Sequence, residues 1–178
     1  MSNGWAKIAV RDCTEADLPA SLAIFNELIP ATTVAWRDDP FTMEWRAEWF
    51  ARQQERGFPV LVAVDDDPAA TNAVIGVASY GDFRNTPHFE GYRFTVEHSI
   101  HVAGDRRGDG TGRLLMEALV ERARGAGLHV MVGAIDAENV DSIRFHERMG
   151  FVEVARMPET GFKFGRWLDL VLVQRTLD

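Results

Sequence analysis

The sequence predicts an α/β (α+β) protein with a mixed central sheet of about seven strands flanked by helices. Two observations lead there. Apolar, β-rich runs such as Pro59 to Val64, Arg93 to Val102 and Trp167 to Thr176 alternate with segments of helical period. Some neighbouring runs are separated only by turn signals and others by whole helices, which mixes antiparallel hairpins with parallel crossovers. The 178 residues carry no internal repeat or low-complexity tract and are 46% hydrophobic, so a single domain over 1–178 is expected.

The elements follow in order. Ile8 to Arg11 is a short strand, after which Thr14 reads as an N-cap with Glu15 and Asp17 complementing the helix start. Leu18, Leu22, Phe25, Leu28 and Ile29 recur at helical spacing until Pro30 ends the element. Thr42 caps a second helix bearing Trp45, Trp49 and Phe50, with Gly57 past its end. Pro59 to Val64 is a buried strand, and Asp65 to Asn72 a turn with an acidic, solvated tip. Val74 to Tyr80 is the next strand. An irregular stretch from Asp82 to Gly91 leads into the strand Arg93 to Val102. A helix from Gly110 to Arg124 and a strand from Leu128 to Ile135 come next. A helix opened by Asn139 or Asp141 and closed by Gly150 follows. Strands Phe151 to Arg156 and Trp167 to Thr176, linked through Pro158 to Gly161, complete the chain.

Bulk properties narrow the function. A formal net charge of −8 argues against a general nucleic-acid binder. Met1 to Trp5 shows no basic region followed by an apolar stretch, and no apolar run is long enough to span a bilayer. Neither a signal peptide nor membrane attachment is expected, and cytoplasmic residence is the default. The single cysteine, Cys13, excludes a disulfide framework and a cysteine metal cluster, and reads as a half-buried residue near a strand end. No metal is expected.

The informative segment is Arg107-Gly108-Asp109-Gly110-Thr111-Gly112, between a β-branched strand and a helix. Its glycines let backbone N–H groups converge on one concavity, and the helix N-terminus adds positive potential, which suits a phosphate or pyrophosphate. Arg106 and Arg107 supply local charge in an acidic chain. A P-loop would end in Gly-Lys-Ser/Thr, whereas Gly112 precedes Arg113-Leu114. The dinucleotide fingerprint fails too, because the third glycine comes one residue early.

Arg107-x-x-Gly110-x-Gly112 resembles the coenzyme A loop of the GNAT superfamily, and the element order is similar to that fold. A second block agrees: Asn139, Ser142, His146 and Gly150-Phe151 lie where the superfamily places residues beside the thioester and pantetheine. Further blocks resemble the phosphinothricin and methionine sulfoximine N-acetyltransferase group. They are Tyr92 to Val102, Leu128 to Val132, Lys163 to Asp169, Thr32 to Trp36 and Gly81 to Arg84, and the likeness covers nearly the whole chain. The resemblance implies acetyl-CoA as co-substrate, a homodimer, and acetyl transfer to the α-amine of a small amino-acid analogue. It also implies coenzyme contacts from Ser99, Ile100, His101, Arg107, Gly108, Asp109, Gly110, Thr111, Gly112, Asn139 and Ser142. By analogy the Lys163-to-Trp167 turn reaches a neighbouring subunit's site.

The chemistry requires an α-ammonium to lose a proton before attack. Glu97 lies in an otherwise apolar strand, where a carboxylate is costly unless paired or used, so it is assigned as general base through water. The bland alternative is an ion pair with Arg84 or Arg93. By resemblance, backbone N–H groups around Ser99 and Ile100 hold the developing oxyanion where the sheet splays. His146 stands where many GNAT enzymes carry a tyrosine acid and is the candidate general acid, against a purely structural histidine. A substrate carboxylate calls for a bidentate arginine, first Arg84 and then Arg93. Phe83, Asn85, Val96, His98 and Trp36 complete the expected acceptor set. The competing readings are a peptide or protein N-terminal acetyltransferase and a non-catalytic acyl-CoA sensor.

Overall fold

Val60, Val62 and Val64 of the continuous run 60–65 pack to one side, and Leu61 and Ala63 to the other. A strand with both faces buried reads as unbroken apolar sequence, because helices cover both sides of the sheet. The computed structural model describes residues 8–65, 73–84 and 88–177. Asn85, the residues 66–72 of the expected turn and the first seven residues lie outside this range.

Seven strands form one sheet: β1 (Ile8–Asp12), β2 (Val60–Asp65), β3 (Val74–Asp82), β4 (Thr95–Val102), β5 (Val130–Asp136), β6 (Val152–Lys163) and β7 (Arg166–Thr176). Their order is β1-β2-β3-β4-β5-β7-β6. Only β4 and β5 run parallel, and all other neighbours are antiparallel. The helices are α1 (Leu18–Ala31), α2 (Met43–Glu55), α3 (Thr111–Gly125) and α4 (Val140–Arg148). This is the predicted mixed α/β architecture. The larger core joins Leu115, Met116 and Leu119 of α3 to Val96, Met131 and Phe151, and a smaller one joins Leu18 and Phe50 to the opposite face of β2.

Local chemistry sets the helix ends. The Asp17 carboxylate accepts hydrogen bonds from Arg11 and Thr14, closing a 3-10 turn that leads into α1. Pro30 falls in the last turn of α1, which runs one residue beyond it to Ala31. The α1 carboxyl end is held from a distance: the buried Lys163 ammonium donates to the carbonyls of Ile29, Thr32 and Ala35 at 2.5, 2.8 and 2.6 Å. A cation on terminal carbonyls satisfies orphan acceptors and suits the helix dipole. Lys163 is therefore spent within its own chain and is not available to a neighbouring subunit.

Two expectations need correction. Pro158 to Gly161 is a bulge inside β6, not a link: Glu159 adopts φ 52°, and its N–H donates to Asp169 at 2.9 Å. The chain reverses instead at Phe164-Gly165, both at positive φ, as a two-residue hairpin between Lys163 and Arg166 requires. The acidic turn also begins differently, because Asp65 is buried and paired with Arg106. Cys13 is buried just after β1, and burial pushes its thiol up to about 11, so it packs as an apolar residue.

Candidate active site

The site is organised by a short pairing. β4 and β5 are hydrogen-bonded over only three residue pairs, the last being Glu97 with Val132, and beyond it the strands part. β4 stays in register with β3 to its end. Backbone direction alternates along a strand. The carbonyl of Phe94 serves the β5 side, accepting from His129 and Val130 N–H, whereas Ala103 N–H donates to Ile75 of β3. The N–H groups of Ile100 and Val102 therefore face the gap, and that of Ser99 faces β3. Of the two oxyanion donors expected, the register supports Ile100 and not Ser99.

Below the gap runs a cleft of about 1420 Å³, above the range of about 300–1,000 Å³ usual for compact ligands. Ile100, His101 and Val102 line it from β4, with Gly108, Gly110 and Gly112 from the loop and Asn139, Ser142 and Phe145 from α4. Gly108 and Gly110 sit at φ 84° and 96°, a region that suits glycine and opens the α3 N-terminus towards the cleft. Arg107 is exposed along this wall, and Arg113, Arg144 and Arg148 add charge from α3 and α4. The local arginines outweigh Glu117 and Asp141, the acidic side chains also present there. An anionic ligand is thus accommodated in a chain that is acidic overall.

The paired arginines of the loop divide their labour. Arg106 is tied to Asp65 and lies 3.5 Å from Asp109, fixing the loop to the end of β2, while Arg107 faces the cleft. Asp109 accepts from Thr111 N–H and Oγ at 2.9 and 2.6 Å. Asp109 and buried Thr111 therefore shape the helix start through their side chains. Asn139 lines the cleft and also caps α4, accepting from Ser142 N–H at 3.1 Å. Arg113, Arg144, Phe145 and Arg148 also line the cleft, and no sequence motif singles them out, although the Arg144/Arg148 spacing puts both on one helical face.

His146 is 3% exposed, and both its ring nitrogens are engaged. Nδ1 lies 2.7 Å from the Ser142 carbonyl, which can only accept, so Nδ1 carries the proton. Nε2 then accepts from His98 Nε2 at 3.2 Å, and His98 Nδ1 is left buried without a partner. Burial, then the neighbouring His146 and His101, draw the His98 pKa down to about 3, and burial also lowers His146. Gly133 makes room for the pair, since a Cβ there would meet His98 Nε2 at 2.8 Å. His146 also borders the coenzyme cleft, and in this neutral pair its Nδ1 proton rests on the Ser142 carbonyl.

On the opposite sheet face, Glu97, Ser99 and His101 project towards α1 and α2. Glu97 is half-buried, has no ion-pair or hydrogen-bond partner among the described residues, and is raised in pKa by burial. The pairing with Arg84 or Arg93 considered above is not formed. Arg93 is exposed, donating to the Glu90 carbonyl at 3.1 Å and lying over Phe94. Arg84 is exposed over Phe83, which meets Tyr92 edge-on. Since Asp82 pairs with Val96, Phe83 and Arg84 leave the sheet beside the start of β4, near Glu97.

The side chains of three other expected acceptor residues point elsewhere. Val96 is 1% exposed in the larger core, and His98 points to the α4 side against His146 and Phe151. Trp36 packs on Gly161 of β6.

A sheet parted after a half-buried carboxylate, with a glycine-loop anion cleft beneath, defines an acyl-coenzyme A transferase arrangement. The chain belongs to the acetyltransferase (GNAT) family, whose model matches residues 21–151, and it is an N-acetyltransferase. It is 49% identical to an L-methionine sulfoximine/L-methionine sulfone acetyltransferase of Pseudomonas aeruginosa, over 96% of this chain and 95% of the relative. Among solved structures it is similar to a ribosomal-protein-alanine N-acetyltransferase from Brucella melitensis, at 43% identity and TM-score 0.89, covering 95% and 99% of the two chains. It is also similar to a phosphinothricin acetyltransferase from Sinorhizobium meliloti in complex with AcCoA, at 35% identity and TM-score 0.88, covering 96% and 88%.

Proposed function

We propose that the protein transfers the acetyl group of acetyl-CoA to the α-amine of a small amino-acid analogue of the methionine sulfone, methionine sulfoximine or phosphinothricin type. The observation that carries this reading is Glu97: half-buried, without an ion-pair or hydrogen-bond partner among the described residues, raised in pKa by burial, and placed at the last residue pair before β4 and β5 separate. A carboxylate with a raised pKa is a stronger base near neutral pH. It accepts the ammonium proton, directly or through water, and the freed amine attacks the thioester carbonyl across the gap. The tetrahedral adduct then breaks its C–S bond, releasing the coenzyme thiolate to be protonated from solvent as the nitrogen loses its extra proton.

The cleft residues fit a coenzyme with a pyrophosphate: the loop N–H groups and Arg107 grip the phosphates, and Arg144 and Arg148 add charge. When bound, acetyl-CoA supplies an activated acyl group at the gap. Ile100 N–H holds the carbonyl oxygen as it gains charge. Phe83 and Arg84 form the outer rim of the acceptor site, with Arg84 directed to the α-carboxylate.

The enzyme acts as a cytoplasmic homodimer. The exposed apolar side chains Val152, Val154, Met157, Phe162 and Trp167 of β6 and β7 give a second copy a surface to bury. Light scattering is expected to return about twice the 19.9 kDa chain mass, and a monomer would contradict the dimer.

Thiol release from acetyl-CoA, measured with the three analogues and with a panel of peptides bearing free N-termini, tests the substrate class. Turnover of the analogues with N-acetylated product is expected. Selective turnover of peptides would assign the enzyme to N-terminal acetylation instead.

A further inference from the structure

A smaller cavity of about 120 Å³ lies on the α1/α2 face of the sheet, outside the coenzyme cleft. Its aromatic walls are Phe25, Trp45 and Trp49, and its polar groups are Ser79, Ser99, His101 and Arg46. Arg46 is the unusual member. Its residue is only 6% exposed, its guanidinium stacks over Trp49 at 4.1 Å, and Nε and Nη2 both turn to Ser21 Oγ at 3.3 and 3.1 Å. Among the described residues no carboxylate lies within ion-pair distance of it. A buried cation without an anion is costly, and burial draws its pKa down to about 10. The Nη1 group has no protein acceptor among the described residues.

Position links this cavity to the reaction. Ser99 follows Glu97 by two residues on the same strand face, a spacing of roughly 6–7 Å. Ser99 Oγ and His101 Nε2 are 2.8 Å apart, and His101 borders both the cavity and the coenzyme cleft. Burial first, then Arg46 and Arg107, lowers the His101 pKa to about 4, so it faces the cavity as a neutral ring. In an amino-acid analogue with an oxidised sulfur or a phosphinyl phosphorus at the γ-carbon, four bonds separate the α-nitrogen from that atom. The extended span is roughly 4–5.5 Å. An amine at Glu97 thus brings such a head to the Ser99 end of the cavity. The volume equals that of about four waters at roughly 30 Å³ each, enough for a methyl group and two oxygens on one centre.

We propose that this cavity receives the tetrahedral oxo head of the acceptor side chain, a sulfonyl, sulfoximinyl or phosphinyl group. Arg46 donates to an oxygen, Ser79 lies within the same polar wall, and the indoles of Trp45 and Trp49 enclose the methyl. The inference rests on the small amino-acid acceptor proposed above and adds the basis of its selectivity: methionine, with a bare thioether, leaves Arg46 unanswered.

The test compares kcat/KM for L-methionine sulfone and L-methionine in the wild type, Arg46→Gln and Ser79→Ala. Arg46→Gln is expected to lower the sulfone-to-methionine ratio by about tenfold or more, and Ser79→Ala to lower it less. Equal losses for both acceptors would overturn the proposal, because the α-carboxylate and the fold are common to both. Calorimetric titration with methanesulfonate gives a readout without turnover: wild-type binding that Arg46→Gln abolishes supports the cavity, and no wild-type binding refutes it. Failure of the wild type to acetylate any amino-acid analogue would instead refute the substrate class, leaving the methanesulfonate result to judge the cavity by itself.

Discussion

The two sides of the β4–β5 opening are built from different kinds of sequence. The donor side is largely contiguous: residues 106–113 supply the loop, its tether and the helix start, and one turn of α4 supplies Arg144 and Arg148. The acceptor side is assembled from α1, α2, β3 and β4, with Phe25, Arg46, Ser79 and Ser99 meeting only in the fold. The donor side is large and arginine-rich, and the proposed acceptor side is small and aromatic. A shared coenzyme can be gripped by a local device of backbone and charge, whereas an individual acceptor needs a shaped pocket. The first survives as a motif, and the second does not.

Changes on either side should separate cleanly. The largest effect is expected at Glu97: Glu97→Gln should lower kcat by about 10²- to 10⁴-fold, while calorimetric affinity for acetyl-CoA stays unchanged. The pH profile carries the same signature. Burial raises the Glu97 pKa, so the active carboxylate form is lost as pH falls through that raised value. The acid limb of kcat/KM should therefore lie above the ordinary carboxylate range, and a limb near the usual glutamate value would count against this base.

A smaller and opposite effect is expected on the donor side. Arg107→Ala should weaken acetyl-CoA binding by about 10- to 100-fold, the range of a charge-assisted hydrogen bond, with little change in kcat at saturating coenzyme. If it altered acceptor KM instead, the division between the two sides would be wrong.

The order of elements was legible because each is locally consistent: valine-rich β2, the Thr42 cap that accepts from Trp45 N–H, and the amphipathic α3. The sequence predicts a strand ending at Arg156 because Pro158 and Gly161 are turn residues, yet a bulge absorbs both within β6. At the site, the glycine loop is legible from spacing, and Glu97 stands out as a charge in an apolar strand. Arg46 does not, since an arginine in a polar-looking helix looks like a solvated residue until packing buries it. Strand alternation turns the side chains of Val96 and His98 to the face opposite Glu97, which a block read as one motif does not convey. For His146, no spacing rule reveals that its two nitrogens face Ser142 and His98.

The central claim is that the coenzyme cleft and the acceptor site are two halves of one path joined at the β4–β5 opening. A conjugate joining coenzyme A sulfur to the α-nitrogen of methionine sulfone through an acetyl bridge tests it in one calorimetric titration. Binding at least about tenfold tighter than acetyl-CoA is predicted, because the second half then docks without a separate association cost. Affinity equal to or weaker than that of acetyl-CoA would contradict the joined path.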